Sequence, residues 1–406
     1  MQSIRAAKQY TSELRRLAPK RNLALWAVAL LMTVTACSVP VDEEISRADN
    51  RVKLSATAND SYIAATTYLP ADAGSSMVKA VLVYDLNRKS WKVLVSPLPD
   101  HALEFPNLSA NDPDVLFVTM AGQDKDPLTK DGAYEVAPRT LLRCHLKDQR
   151  CKPLLTDKRT MYNAEDIPGE GVLFVSAPPR ISQIGAGSQW YVTFSPRNFY
   201  LLGPDQEIKR LTDVNYKRLG NISIVDDGVV FSAMLPRPGR SSPPFSEEVA
   251  NQPLFKDRLY KLPVNGAFSA LKVDQSIYKP VVQLGTINKP SIISSPSASR
   301  SSSYIVFLTN DRSMIKGKNL GKGYQYSFYV YDIKDDKIIA AVLGHENQTL
   351  SAPSMTKDGD VVYFDYYDDA YHIKKYSIAD RTVEDVDRID VTDILRTKRK
   401  SFTIER

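Results

Sequence analysis

Residues 221–231 read NISIVDDGVVF: a short β-rich run, an acidic turn ending in glycine, and a second apolar run centred on Phe231. Alternating residues on both sides of an Asp-Asp-Gly turn predict a β-hairpin. The second half of this text recurs along the chain. VLFVT carries Phe117, VLFVS Phe174, VVFSA Phe231, IVFLT Phe307 and VYFDY Phe364, at separations of 57, 57, 76 and 57 residues. A sixth copy, SYIAATTY, puts Ile63 54 residues before Phe117. The first half recurs too, as SIISSPSASRSSSYIVF and PSMTKDGDVVYF.

A second hairpin follows each of these. AVLVYDLNRKSWKVLV, TLLRCHLKDQRCKPLL, FYLLGPDQEIKRLT, RLYKLPVNGAFSALKV, SFYVYDIKDDKIIAAVL and YHIKKYSIADRTVEDV are one unit in six versions. Six repeats of four strands predict an all-β chain, a six-bladed β-propeller of four-stranded antiparallel blades. Each blade has two apolar faces that it cannot bury alone, and ring closure buries both. The propeller is expected over residues 51–390, followed by a basic tail at 391–406, with RVKLSATA at 51–58 as the strand that completes the last blade.

The text PSMTKDGDVVYF with YHIKKYSI, and YSFYVYDIKDDKIIAAVL, resembles the TolB-type, or WD-like, propeller repeat. The resemblance covers residues 52–388. Blades two and three depart from it, because NLSANDPDVLFV and EDIPGEGVLFV lack the Ser-Pro-Asp-Gly text. No segment resembles the α/β domain that TolB carries at its amino end, so the resemblance extends to the propeller alone.

The N-terminus carries a different message. Residues 1–21 hold six bases against Glu13, and the uncharged NLALWAVALLMTVTA follows at 22–36. An apolar run this short falls below the roughly 20 residues of a bilayer crossing and fits the core of a secretory signal. Val34, Thr35 and Ala36 before Cys37 resemble the lipobox of bacterial lipoproteins. The resemblance implies cleavage after residue 36, diacylation of the Cys37 thiol and N-acylation of the new terminus. Residues 37–50 then form an acidic tether, and Ser38 implies the outer membrane, with the protein facing the periplasm. The alternative is an ordinary signal peptide with a chance cysteine. Of the formal charge of +6, residues 1–21 supply +5, which leaves +1 from Cys37 onward. That balance is no argument for nucleic-acid binding.

Cys144 and Cys151 fall where a hairpin sets 144 against 151, 145 against 150 and 146 against 149, leaving Lys147-Asp148 as the turn. An exported compartment permits oxidation, and a disulfide here would stabilise by about 2–3 kcal/mol on the chain-entropy model. Two reduced core cysteines are the alternative.

The period exceeds the roughly 40–45 residues of a compact blade. The excess falls between the second and third strands, in GQDKDPLTKDGAYEVAPR (122–139), PPRISQIGAGSQW (178–190), residues 235–257 with five prolines, and RSMIKGKNLGKGYQY (312–326). Loops of one topological type emerge on one face, so a protein-binding surface is expected there. Trp190, Phe245, Leu254, Lys316, Lys318, Lys322 and Tyr324 are its candidate contacts.

No catalytic set, metal site or cofactor motif stands out. A G-x-S-x-G elbow is absent. DKDPLTKDG (124–132) lacks the glycine and glutamate placement of a calcium loop. DYYDDAYH (365–372) groups three carboxylates with a histidine, and it reads as a turn or as a metal or acid–base site. The 21 tyrosines serve either blade interfaces or ligand stacking. The innermost strands are poor in Asp and Glu, which favours a lipid-anchored, non-catalytic binding or scaffold protein of the envelope. The competing reading is a propeller hydrolase or lyase acting on envelope or extracellular carbohydrate.

Overall fold

Six blades, each built mainly from one repeat, surround a common axis. They come from a computed structural model, which describes residues 56–405 except 71–76, 125–134, 185–188, 235–257, 272–279, 285–292, 299–302, 312–326, 344–349, 351–352 and the single positions 195, 214, 217, 265, 283, 310 and 369. Blade 1 is β1 (Ala56–Ala58), β2 (Tyr62–Pro70), β3 (Met77–Asp85) and β4 (Ser90–Val95). Blade 2 is β5 (His101–Leu108), β6 (Val115–Gly122), β7 (Arg139–His145) and β8 (Arg150–Asp157). Blade 3 has β9 (Thr160–Ile167) and β10 (Gly171–Ala177), an excursion hairpin of β11 (Pro179–Ile184) and β12 (Gln189–Phe194), then β13 (Asn198–Leu202) and β14 (Ile208–Arg210). Blade 4 is β15 (Arg218–Val225), β16 (Gly228–Met234), β17 (Arg258–Pro263) and β18 (Pro280–Val282). Blade 5 is β19 (Ile293–Ala298), β20 (Tyr304–Thr309), β21 (Ser327–Asp332) and β22 (Lys337–Leu343). Blade 6 is β23 (Ser354–Met355), β24 (Val361–Tyr367), β25 (Ala370–Ser377) and β26 (Thr382–Asp390).

The second strand of each blade is apolar almost throughout because neighbouring blades cover both its faces. Ile63, Phe117, Phe174, Phe231, Phe307 and Phe364, which mark the sequence repeat, are all buried. Between blades 3 and 4, Phe199, Tyr216 and Phe231 meet edge to face, with centroids 5.1–6.2 Å apart, and Tyr260 lies 5.8 Å from Phe231. Such pairs add to the burial itself. Tyrosines build other blade interfaces in the same way. Tyr363 and Tyr376 both pack on Phe328 of blade 5.

The recurring Tyr-Asp before the outer hairpin also has a local cause. Asp85 Oδ1 accepts the amides of Asn87 and Arg88, and Asp332 Oδ1 accepts those of Lys334 and Asp335. Each carboxylate thereby holds a four-residue turn. The fourth residue of that turn is left-handed in four blades: Lys89 (φ 47°), Gln149 (57°), Asp336 (49°) and Arg381 (58°).

Closure differs from the expectation. β1 pairs with β2 of its own blade and lends nothing to blade 6, whose four strands all come from the C-terminal repeat. Blades 6 and 1 are joined instead by side chains. Ala58 N donates to Ser354 Oγ (2.9 Å), Lys357 N to Asp60 Oδ1 (2.7 Å) and Tyr84 OH to Asp387 Oδ2 (2.5 Å). Of the residues set apart above as a basic tail, 391–405 turn back through α1 (Val391–Arg396). They add β27 (Lys400–Ser401) in parallel to β4 and β28 (Thr403–Ile404) in parallel to β8. Blades 1 and 2 are therefore five-stranded.

Candidate functional site: the axial channel

The innermost strands of blades 2 to 5 each carry a β-bulge. Phe105, Asn163 and Ser295 sit at its first position with φ of 54°, 50° and 48°. A bulge re-aims the side chains around it. In blade 2 it sends the Phe105 ring to Tyr162 of blade 3, 5.2 Å between centroids.

Around the axis the polar side chains of these strands form a closed ring of blade-to-blade hydrogen bonds. Thr57 Oγ1 accepts Leu108 N (3.0 Å), Ser223 Oγ accepts Ala298 N (3.1 Å), Ser297 Oγ accepts Met355 N (2.9 Å) and Ser354 Oγ accepts Ala58 N (2.9 Å). In the remaining two seams Asn107 Nδ2 donates to Ala164 O (2.7 Å) and Asn163 Nδ2 to Gly220 O (2.8 Å). Each bond contributes a net of about 1 kcal/mol. Together they fix the spacing of neighbouring innermost strands.

Inside this ring lies a cavity of about 360 Å³. Its walls are hydroxyls, carboxamides and small apolar groups of the innermost strands, and its rim includes the turns at Asn59–Asp60, Ser109–Pro113 and Lys357. The repeat pattern gives no sign of one residue here. Glu165 of β9 is a buried carboxylate in the wall. Its Oε1 accepts Ser109 Oγ and Ala110 N, both at 2.9 Å, and Asn111 Nδ2 at 3.4 Å, while Oε2 accepts Asn107 Nδ2 at 3.5 Å. The adjacent Asp166 is engaged elsewhere, 3.1 Å from the Arg143 guanidinium.

The other sequence candidates fall as follows. Cys144 and Cys151 form a disulfide between directly opposed residues, Cα atoms 4.0 Å apart, fully buried beneath the blade 2 hairpin. Pairing continues to His145 and Arg150 but not to 146 and 149. Leu146 to Gln149 make the turn, because Leu146 is drawn into the core between blades 1 and 2.

DYYDDAYH is mainly a hairpin, with Asp368 left-handed at its turn (φ 51°). Asp365 is buried 3.4 Å from Lys374, and the His372 ring stacks on Tyr367 at 3.6 Å. Burial, with Lys374 and Arg388 nearby, pushes His372 below the ordinary histidine value. Among the described residues no group of three or more His, Cys, Asp and Glu is placed to hold a metal.

Asp124, the first residue of the calcium-like stretch, pairs with Arg139 at 3.3 Å. Cys37, Phe245, Leu254, Lys316, Lys318, Lys322 and Tyr324 lie outside the described residues, as does the side chain of Trp190 in β12.

The class defined by these sheets is the all-β, six-bladed propeller. No protein-family model and no curated protein matches the sequence. Among solved structures, TolB from Acinetobacter baumannii is similar at 13% identity and a TM-score of 0.47, over 80% of this chain and 62% of that one. The propeller domain of the Trilobed protease from Pyrococcus furiosus is similar at 10% identity and a TM-score of 0.43, over 81% of each. A puromycin-hydrolyzing peptidase from Mycobacterium tuberculosis gives 13% and 0.43, over 84% of this chain and 54% of that one. The chain thus spans less than two thirds of the length of TolB.

Proposed function

We propose that this chain is a lipid-anchored, non-catalytic binding protein of the bacterial cell envelope. Cys37 carries the anchor, and the long-loop face of the propeller engages an envelope protein. The observation that carries the reading is the channel lining. Its polar side chains tie blade to blade, and the carboxylate in its wall accepts from four donors. This is a framework for holding strands in place. A carbohydrate hydrolase of the usual kind needs two carboxylates flanking the bond it breaks. Glu165 in the wall and Asp60 at the rim are the carboxylates that favour that second reading; Asp60 accepts Lys357 N, and Asp166 beside Glu165 is paired with Arg143.

The anchor is tested by metabolic labelling with a palmitate analogue. The wild-type chain is expected to incorporate label and to fractionate with membranes. The Cys37→Ser chain should remain an unlabelled precursor. If the Cys37→Ser chain still incorporates label, the anchor reading is wrong.

A further inference from the structure

Residues 400–405 enter the ring in a way no other described segment does. Elsewhere the paired strands of a blade are antiparallel. β27 and β28 instead arrive from the far end of the chain and lie parallel to the outer strands of two different blades. Each makes only two residue pairs: Lys400 and Ser401 with Leu94 and Val95, Thr403 and Ile404 with Arg150 and Cys151. Thr403 N donates to Gln149 O (2.9 Å) and Glu405 N to Cys151 O (2.8 Å). Between the two short strands Phe402 drops into the core shared by blades 1 and 2, beside Val81, Val83, Leu94, Leu146 and the disulfide, and Ile404 packs at its edge.

We propose that this outer seam is a strand-and-anchor peptide site, occupied in cis by the chain's own C-terminal segment. It takes an extended segment with an aromatic anchor and an aliphatic residue two positions later. Main-chain bonds from a sheet edge supply affinity, and a pocket for alternate side chains supplies choice, as in other strand-addition sites. The disulfide shapes the site, because the Cys151 carbonyl is one of its acceptors. The main-chain pairing of the occupant is short, two residues on each blade. Lys398, Lys400, Ser401, Thr403 and Glu405 are exposed, and Phe402 is the buried side chain of residues 397–405. A segment so held opens locally, well below the free energy of global unfolding. Opening uncovers an apolar socket ready for another segment of the same pattern.

The test uses the full chain. Amide exchange followed by NMR should show Thr403 and Glu405 exchanging at least about tenfold faster than the amides of β6. In a Phe402→Ala chain that difference should grow while β6 stays protected. A fluorescent peptide of residues 398–406 should bind the Phe402→Ala chain and be excluded from wild type, and the same peptide with Phe402→Ala should bind neither. Exchange of Thr403 and Glu405 at the β6 rate, global unfolding of the Phe402→Ala chain, or failure of the wild-type peptide to bind it would each overturn the proposal and make the segment an integral part of the core.

Discussion

The two faces of the disc are built to different rules. In a four-stranded meander the first-to-second and third-to-fourth connections emerge at one end, the second-to-third at the other. At the first end most turns are short, the run from Pro263 to Pro280 in blade 4 being the exception, and several are fastened: Asp85 and Asp332 each accept two turn amides, and Asn59 accepts those of Ser61 and Tyr62. At the second end blades 2 to 5 run from Gly122 to Arg139, Ala177 to Asn198, Met234 to Arg258 and Thr309 to Ser327 before the sheet resumes. Blades 1 and 6 cross the same end more briefly, from Pro70 to Met77 and from Tyr367 to Ala370. The repeat therefore fixes the framework from one face and leaves the other free to vary, which is how scaffold and recognition are usually divided.

The contrast is sharpest in stability. Phe231→Ala empties the aromatic cluster between blades 3 and 4 and should cost about 3–5 kcal/mol by chemical denaturation. Replacing residues 236–253, on the loop face of the same blade, with a short Gly-Ser link should change stability by less than about 1 kcal/mol, since loop closure depends weakly on length. A large loss from the deletion would break the comparison and make the excursion part of the framework. Removing the disulfide with Cys144→Ala and Cys151→Ala should cost about 2–3 kcal/mol. Ser297→Ala, which leaves Met355 N without its acceptor, should cost about 1 kcal/mol.

The smallest effect is one of pH. His372 titrates lower folded than unfolded, so the unfolded chain takes up the proton first. The contribution of this group is full above the unfolded value of about 6.5 and declines as pH falls through it. His372→Phe should flatten the loss of stability between about pH 7 and 5. An unchanged slope would place the acid sensitivity elsewhere.

What the sequence makes legible follows from what repeats. The aligned Phe117, Phe174, Phe231, Phe307 and Phe364 mark the central strands because burial on both faces demands an apolar run there. The Cys144–Cys151 bridge is legible because hairpin register is arithmetic. The bulges are not, since Phe105, Asn163 and Ser295 share a backbone conformation and no chemistry. Glu165 is one acid in an ordinary strand, and its role depends on donors 54 to 58 residues away. The return of the C-terminus escapes notice because two-residue strands carry no period.

The central claim, that partners bind on the long-loop face, is tested most directly by placing a photo-crosslinking amino acid in turn at Trp190, Phe245, Tyr324 and, on the opposite rim, Lys357, in cells carrying the full chain. The account predicts a discrete adduct with an envelope protein from the first three positions and none from Lys357. An adduct from Lys357 with none from the loop positions would contradict it.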